Sequence, residues 1–214
     1  MSPQRDDQEF ESKHQQIIDG ALDVFATKGF ENATNKDIAR ASKIGSPALI
    51  YHYFQDKADL FREVIEQRTQ LFQLLTHSDA IMELPPREAL AQFGEAFVGV
   101  LNNRAAVSVF RLMLGEATRR PTVADMINKV GPGRLFPLLR RYFECQMDAG
   151  VMRRMDPGAA VRCFIGPLLS YMLMREVFPQ PDAKTLSPRT MIDTAIDVFL
   201  EGVLVRPADT DSSA

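Results

Sequence analysis

Apolar residues recur at three- and four-residue spacing along nearly the whole chain, and no stretch alternates in the way a half-buried strand requires. Ile17, Ile18, Ala21, Leu22 and Phe25 form one such stripe, which ends at Lys28-Gly29, a basic last turn followed by a terminating glycine. The spacing predicts short helices over about 34–42 and 46–54, then a long one from Asp56 that runs for nearly twenty residues. Further helices are expected over about 87–102, 105–118, 122–130, 134–149, 157–178 and 188–204. Proline and glycine punctuate them at Pro85-Pro86, Pro121, Gly131-Pro132-Gly133, Gly150, Pro157 and Pro179. Pro137 and Pro167 fall inside predicted helices and should kink them. The chain reads as all-α, with polar tails at 1–9 and 206–214.

Composition narrows the class. The 214 residues are 45% hydrophobic and 25% charged, which excludes collagen-like, disordered and disulfide-framework proteins. The most apolar run, Cys163 to Met174, is 12 residues long and contains Pro167. A membrane helix needs roughly 20, so this run is expected to be a core helix. The first residues lack the apolar run of a secretory signal, and a cytoplasmic protein is the economical expectation. The net charge of −3 argues mildly against a nucleic-acid partner.

Locally the charge tells another story. Residues 1–70 hold nine basic and twelve acidic side chains, yet between Lys28 and Lys57 five basic residues (Lys28, Lys36, Arg40, Lys43, Lys57) face three acidic ones (Glu31, Asp37, Asp56), a net +2. Thr34-Asn35-Lys36-Asp37 has the form of a capping box with Asp in place of Glu. Ser46-Pro47 supplies a hydroxyl cap and a proline at the first helical position. Two short helices joined by a tight turn near Lys43-Ile44-Gly45, flanked by longer ones, make the pattern of a helix-turn-helix. Ile38 and Ala39 face inward, Ala41 permits close approach, and Ile50 and Phe54 anchor the second short helix. Ser46, Pro47, Ala48, Tyr51 and His52 are left for its N-terminus and outer face.

The run Gly29-Phe30 … Ala33-Thr34 … Asp37-Ile38-Ala39 … Tyr51-His52-Tyr53-Phe54 … Asp56-Lys57 … Leu60 resembles the N-terminal domain of TetR-family transcriptional regulators. The likeness covers about residues 12–62; residues 76–204 share only the family's length and helical character. It implies that Thr34 caps the first short helix and touches a DNA phosphate, with Asn35 and Lys36 beside it. It implies too that Tyr51 bonds the DNA backbone and that Lys57 meets a phosphate at the start of the fourth helix. Pro47 and Ala48 either read a thymine methyl or only start the helix, and His52 is either a DNA contact or an ordinary surface histidine. Two departures stand out. Ile38 to Tyr51 is one residue longer than the commonest family spacing, and Tyr53 stands where a histidine is frequent.

The resemblance divides the chain at 10–58, a helix-turn-helix DNA-binding domain, and 59–205, a larger helical domain for ligand binding and dimerisation. It implies a homodimer built on the last two long helices, with Phe164, Leu168, Met172, Ile192, Ile196, Phe199 and Val203 at the interface, reading a palindromic operator with half-sites roughly 34–36 Å apart. Aromatic and methionine positions in the middle helices are core or line an inducer pocket: Phe93, Phe97, Phe110, Met113, Phe136, Tyr142, Phe143 and Met147, with Arg111, Glu116, Tyr171 and Arg175 placed to orient a small apolar or amphipathic ligand. The long helix from Asp56 is the natural lever between the two functions, and release of a repressor from its operator follows from linkage. No nucleophile elbow, P-loop, dinucleotide or zinc-protease motif occurs. His14, His52 and His77 share no ligand spacing, so no enzyme activity, metal or cofactor is expected. Cys145 and Cys163 are either buried small hydrophobes or a thiol redox sensor, and the alternative reading is a helical small-molecule-binding protein or such a sensor in which DNA binding is vestigial.

Overall fold

Side-chain caps set several of the helix starts. The computed structural model describes residues 3–68, 74 and 78–205. α1 (Pro3–Asn32) is interrupted at Gly29, whose φ of 78° and ψ of 166° break the helical path. α2 (Asn35–Ala41) opens on Thr34, whose Oγ1 accepts the Asp37 N–H at 3.1 Å. Ser46 Oγ accepts the Ala48 N–H at 3.2 Å and starts a 3₁₀ turn (Pro47–Leu49) that runs into α3 (Ile50–Tyr53). α4 (Lys57–Arg68) follows Asp56, whose carboxylate accepts the Asp59 N–H at 2.8 Å. The expected continuation of this helix through 69–73 and 75–77 lies outside the described residues.

The remaining helices are α5 (Ser78–Met82), α6 (Pro86–Val98), α7 (Arg104–Ala117), α8 (Pro121–Val130), α9 (Pro132–Asp148), α10 (Pro157–Glu176), α11 (Pro181–Thr185) and α12 (Pro188–Val203). Five of these eight begin as the sequence predicts, on or near a proline whose missing N–H costs nothing in a first turn. α5 and α11, five residues each, are too short to show a period and were not expected. Among the described residues the only bridge-type pairing is an isolated antiparallel one between Met152 and Leu204.

Contacts divide the chain into two units. The first gathers α1–α4 with α7 and α8; the second gathers α5, α6 and α9–α12. This differs from a division at residue 58. α7 lies along α1 and also touches α4, and α8 packs on α7 and α4. Periodicity shows that a helix has a buried face but not which neighbour covers it.

In the first unit Ile17, Ile18, Phe25, Ile38, Ile50, Phe54, Leu60, Phe61 and Val64 are buried. Phe25 and Phe61 meet edge to face with centroids 5.0 Å apart. The backbones of α1 and α2 touch: a Cβ on Gly20 would lie 2.5 Å from the Ser42 nitrogen and 2.8 Å from its Cα, so only glycine fits there. In the second unit α10 is the central helix. By length and composition it is apolar enough to cross a membrane, but Val161, Phe164, Ile165, Leu168, Tyr171 and Met172 are buried among α6, α9 and α12. Tyr142 is buried and donates its hydroxyl proton to the Leu84 carbonyl at 2.7 Å; burial pushes its pKa up to about 12, which keeps the donor in place.

Candidate nucleic-acid interface

The two short helices are locked from behind. Ile38, Ala39, Ile50 and Phe54 are buried, and Ser42, also buried, reaches the Ile17 carbonyl at 3.5 Å. Lys43 takes a left-handed φ of 54° at the turn between them, within the Lys43-Ile44-Gly45 stretch where the turn was expected. The element after the turn is composite, a 3₁₀ turn followed by one α-helical turn. That winding lies within the stretch where the sequence is one residue longer than the family pattern. His14 ties the assembly to its flanks: its Nε2 lies 2.9 Å from Glu63 Oε2, and its ring stacks on Phe54 with centroids 4.8 Å apart. Tyr53, the residue found in place of the frequent histidine, packs on Phe10 of α1 at 4.6 Å.

These supports leave one polar, exposed face. Ser46, Pro47, Ala48, Tyr51 and His52 all reach solvent, and Tyr51 is 63% exposed. Lys36 is exposed and Asn35 half-buried on the first turn of α2. Two expected phosphate contacts are placed differently. The Thr34 hydroxyl donates to Asp37 Oδ2 at 2.7 Å while accepting the Asp37 N–H. Lys57 turns inward: its Nζ donates to the carbonyls of Glu31 at 3.1 Å and Ala33 at 3.2 Å, and sits 4.7 Å from the centroid of the Phe30 ring. Burial lowers its pKa. An inward lysine can satisfy carbonyls that the end of α1 leaves without partners, a use its position at the start of α4 does not announce. Asp37 also receives Lys28 Nζ at 2.7 Å. This ammonium and the Thr34 hydroxyl hold the Asp37 carboxyl at a pKa of about 2.

The seven residues expected at a dimer interface all face the core of their own subunit. Phe164, Leu168, Met172, Ile192, Ile196, Phe199 and Val203 are each 9% exposed or less. α10 is apolar on two sides, and spacing alone does not say which side is buried in the chain's own core. The outward side carries Cys163, Gly166, Pro167, Ser170 and Met174 on α10, with Thr194, Val198 and Gly202 on α12. Cys163, Pro167, Thr194, Val198 and Gly202 line an apolar cleft of about 420 Å³. Both cysteines are free and exposed, not buried as small hydrophobes; each occupies the solvent side of a helix whose opposite side fills the core.

The twelve candidate pocket residues fall into both units. Phe110 and Met113 are half-buried and Arg111 exposed on α7 of the first. In the second, Phe93, Tyr142, Phe143, Met147 and Tyr171 are packed in the core, with Phe97 and Phe136 half-buried at its margin. Tyr171 donates to the Leu186 carbonyl at 2.7 Å, and Arg175 Nη1 reaches both that carbonyl and the Tyr171 hydroxyl. This pair therefore closes the loop before α12. Glu116 engages Arg120, which also pairs with Glu31 at 2.7 Å. Two further cations, Arg40 on α2 and Lys43 on the turn after it, were missed as site residues; both are exposed.

Comparison with known proteins agrees with this architecture. Residues 17–64 match the family model for bacterial regulatory proteins of the tetR family. Residues 88–202 match that for the C-terminal domain of AefR-like transcriptional repressors. The chain belongs to the TetR family of bacterial regulatory proteins, which are DNA-binding transcription factors and not enzymes. It is 27% identical over 90 residues to the HTH-type transcriptional regulator LuxR of Vibrio harveyi; the match spans 42% of this chain and 43% of that regulator. A TetR-family regulator structure from Mesorhizobium loti superposes with a TM-score of 0.69 at 23% identity, covering 92% of this chain and 98% of the other. The transcriptional regulator FadR of Bacillus subtilis, solved in complex with stearoyl-CoA, gives 0.70 at 18% identity, covering 88% and 98%. At such identities the two structures show the fold alone.

Proposed function

We propose that this chain is a homodimeric transcriptional repressor that reads a palindromic operator and is released from it by an amphipathic acyl-type ligand. The observation that carries the DNA-binding reading is the exposed face of Ser46, Pro47, Ala48, Tyr51 and His52, backed by buried Ile38, Ile50 and Phe54. Side chains on such a face reach base edges in the major groove. Tyr51 is the phosphate contact from this face. Dimerisation is assigned to the outward side of α10 and α12, where small and apolar residues line the open cleft. A second copy of the same face, related by a two-fold axis, covers it in an isologous contact.

The ligand class follows from the side chains and from a relative. The second unit offers an aromatic and methionine-rich interior at Phe93, Phe97, Phe136, Tyr142, Phe143 and Met147, and the FadR relative was solved with stearoyl-CoA. Protein interiors are close-packed, so an acyl chain entering among these residues displaces core side chains. It therefore selects a conformation other than the one described, which is what linkage to the operator requires. Fluorescence anisotropy with DNA from upstream of the chain's own gene tests both parts. The expected result is saturable binding to an inverted repeat, competed poorly by random DNA and weakened by stearoyl-CoA. Equal affinity for random and upstream DNA would overturn the operator assignment. Binding indifferent to saturating stearoyl-CoA would overturn the ligand class.

A further inference from the structure

Five cations lie from Lys28 to Lys57, and two of them already have partners within the protein. Lys28 is paired with Asp37. Lys57 donates to two carbonyls at the end of α1 and covers the Phe30 ring. The one proton of the Thr34 hydroxyl goes to Asp37; a phosphate oxygen only accepts, so this side chain has no donor left for it. Lys36, Arg40 and Lys43 differ. All three are exposed and make no ion pair among the described residues. Lys36 and Arg40, four apart, share the face of α2 turned away from buried Ile38 and Ala39. Lys43 extends that row past the end of the helix, on the left-handed turn.

In a helix-turn-helix the first helix crosses the DNA backbone while the second enters the groove. We propose that in this chain the phosphates are held by Arg40 and Lys43, with Lys36, along the outer edge of α2, and that Lys57 is a positioning residue that fixes the end of α1. The inference rests on the DNA-binding reading above and deepens it. The guanidinium of Arg40 suits bidentate contact with a phosphate, and Lys43 adds a point charge one turn further along the backbone. Lys57 acts through α1: by closing the Glu31 and Ala33 carbonyls it sets where Thr34 and α2 begin.

Phosphate contacts do not depend on sequence, so the test needs no operator. The full chain is titrated by anisotropy onto a labelled random-sequence duplex over a range of KCl concentrations. Wild type should bind with log K falling linearly in log salt, each contact contributing about −0.9 to the slope. Arg40→Gln and Lys43→Gln should each make the slope shallower by about 0.9 per subunit. Lys57→Gln should weaken binding by the same factor at every salt concentration, keep the wild-type slope, and lower the Tm. Lys57→Arg, which keeps donors for the two carbonyls, should recover most of the affinity. An unchanged slope in either α2 variant overturns the phosphate assignment. A slope loss in Lys57→Gln equal to theirs, or no recovery with arginine, overturns the positioning role. Absence of salt-dependent binding by wild type would sink the DNA-binding reading itself, and this inference with it.

Discussion

Asp37 is the residue on which the geometry at the start of α2 converges, since it receives Thr34, Lys28 and the capping relation at once. Its pKa lies at about 2 against an ordinary 3.8. A carboxylate depressed in this way stabilises the folded chain above its unfolded pKa, and that contribution fades as pH falls from near 3.8 toward 2. An NMR pH titration of the Asp37 carboxyl should therefore show a midpoint near 2 and no titration between pH 5 and pH 8. A midpoint near 4 would mean the Lys28 pair does not form in solution. Gly20 makes a different demand. A methyl there meets the backbone of Ser42, which has no rotamer to escape into, so Gly20→Ala should destabilise by about 1–3 kcal/mol or more. Denaturant unfolding measures it, and a loss under 0.5 kcal/mol would show that α1 and α2 separate freely. The capping role of Thr34 was readable from its neighbours in sequence. The inward turn of Lys57 was not, because its partners lie 24 and 26 residues away.

At the level of elements, periodicity located the long helices among the described residues but missed what depends on neighbours, and α1 begins at Pro3, within the stretch 1–9 read as a polar tail. α10 shows the reason: apolar on two sides, it offered two candidate interfaces, and the seven residues assigned to a partner proved to be the subunit's own core. Phe199, packed against Phe143 at 5.3 Å and Phe164 at 5.6 Å, should then behave as a core residue. Phe199→Ala is expected to cost about 3–5 kcal/mol in unfolding free energy. The exposed pair Arg189–Glu95, which links α12 to α6 at 2.7 Å, should matter far less. Glu95→Gln is expected to cost under about 1 kcal/mol, with the difference shrinking in salt. Comparable losses for the two variants in the same denaturant series would mean that Phe199 is not buried as described.

For the whole molecule the assignment that most needs a measurement is the dimer. Val198 is 67% exposed and lines the cleft on the outward α10–α12 side. Val198→Glu places a charge in the proposed contact while touching no core side chain, so it should leave the Tm of the subunit little changed. Sedimentation should then shift from dimer to monomer, and operator affinity should fall by an order of magnitude or more, since two half-sites no longer share one protein. A Val198→Glu protein that sediments as wild type would place the interface elsewhere. Net charge was the least informative whole-molecule figure. The value of −3 hid a local excess of cations, two of which, Lys28 and Lys57, proved to be engaged by Asp37 and by backbone carbonyls.

The grouping of α7 and α8 with α1–α4 bears on how regulators of this kind are recombined. The chain passes between the two units near 69/70, 101/102 and 130/131, so no single splice point separates them. A chimera joined at residue 60 transplants a helix-turn-helix without the two helices that cover its α1 and α4, and the recipient must supply a surface it did not evolve to present. Swaps that carry 102–130 along with the N-terminal segment keep that cover intact. For this chain the inheritable module is discontinuous in sequence, and a library of new specificities should be built with three junctions.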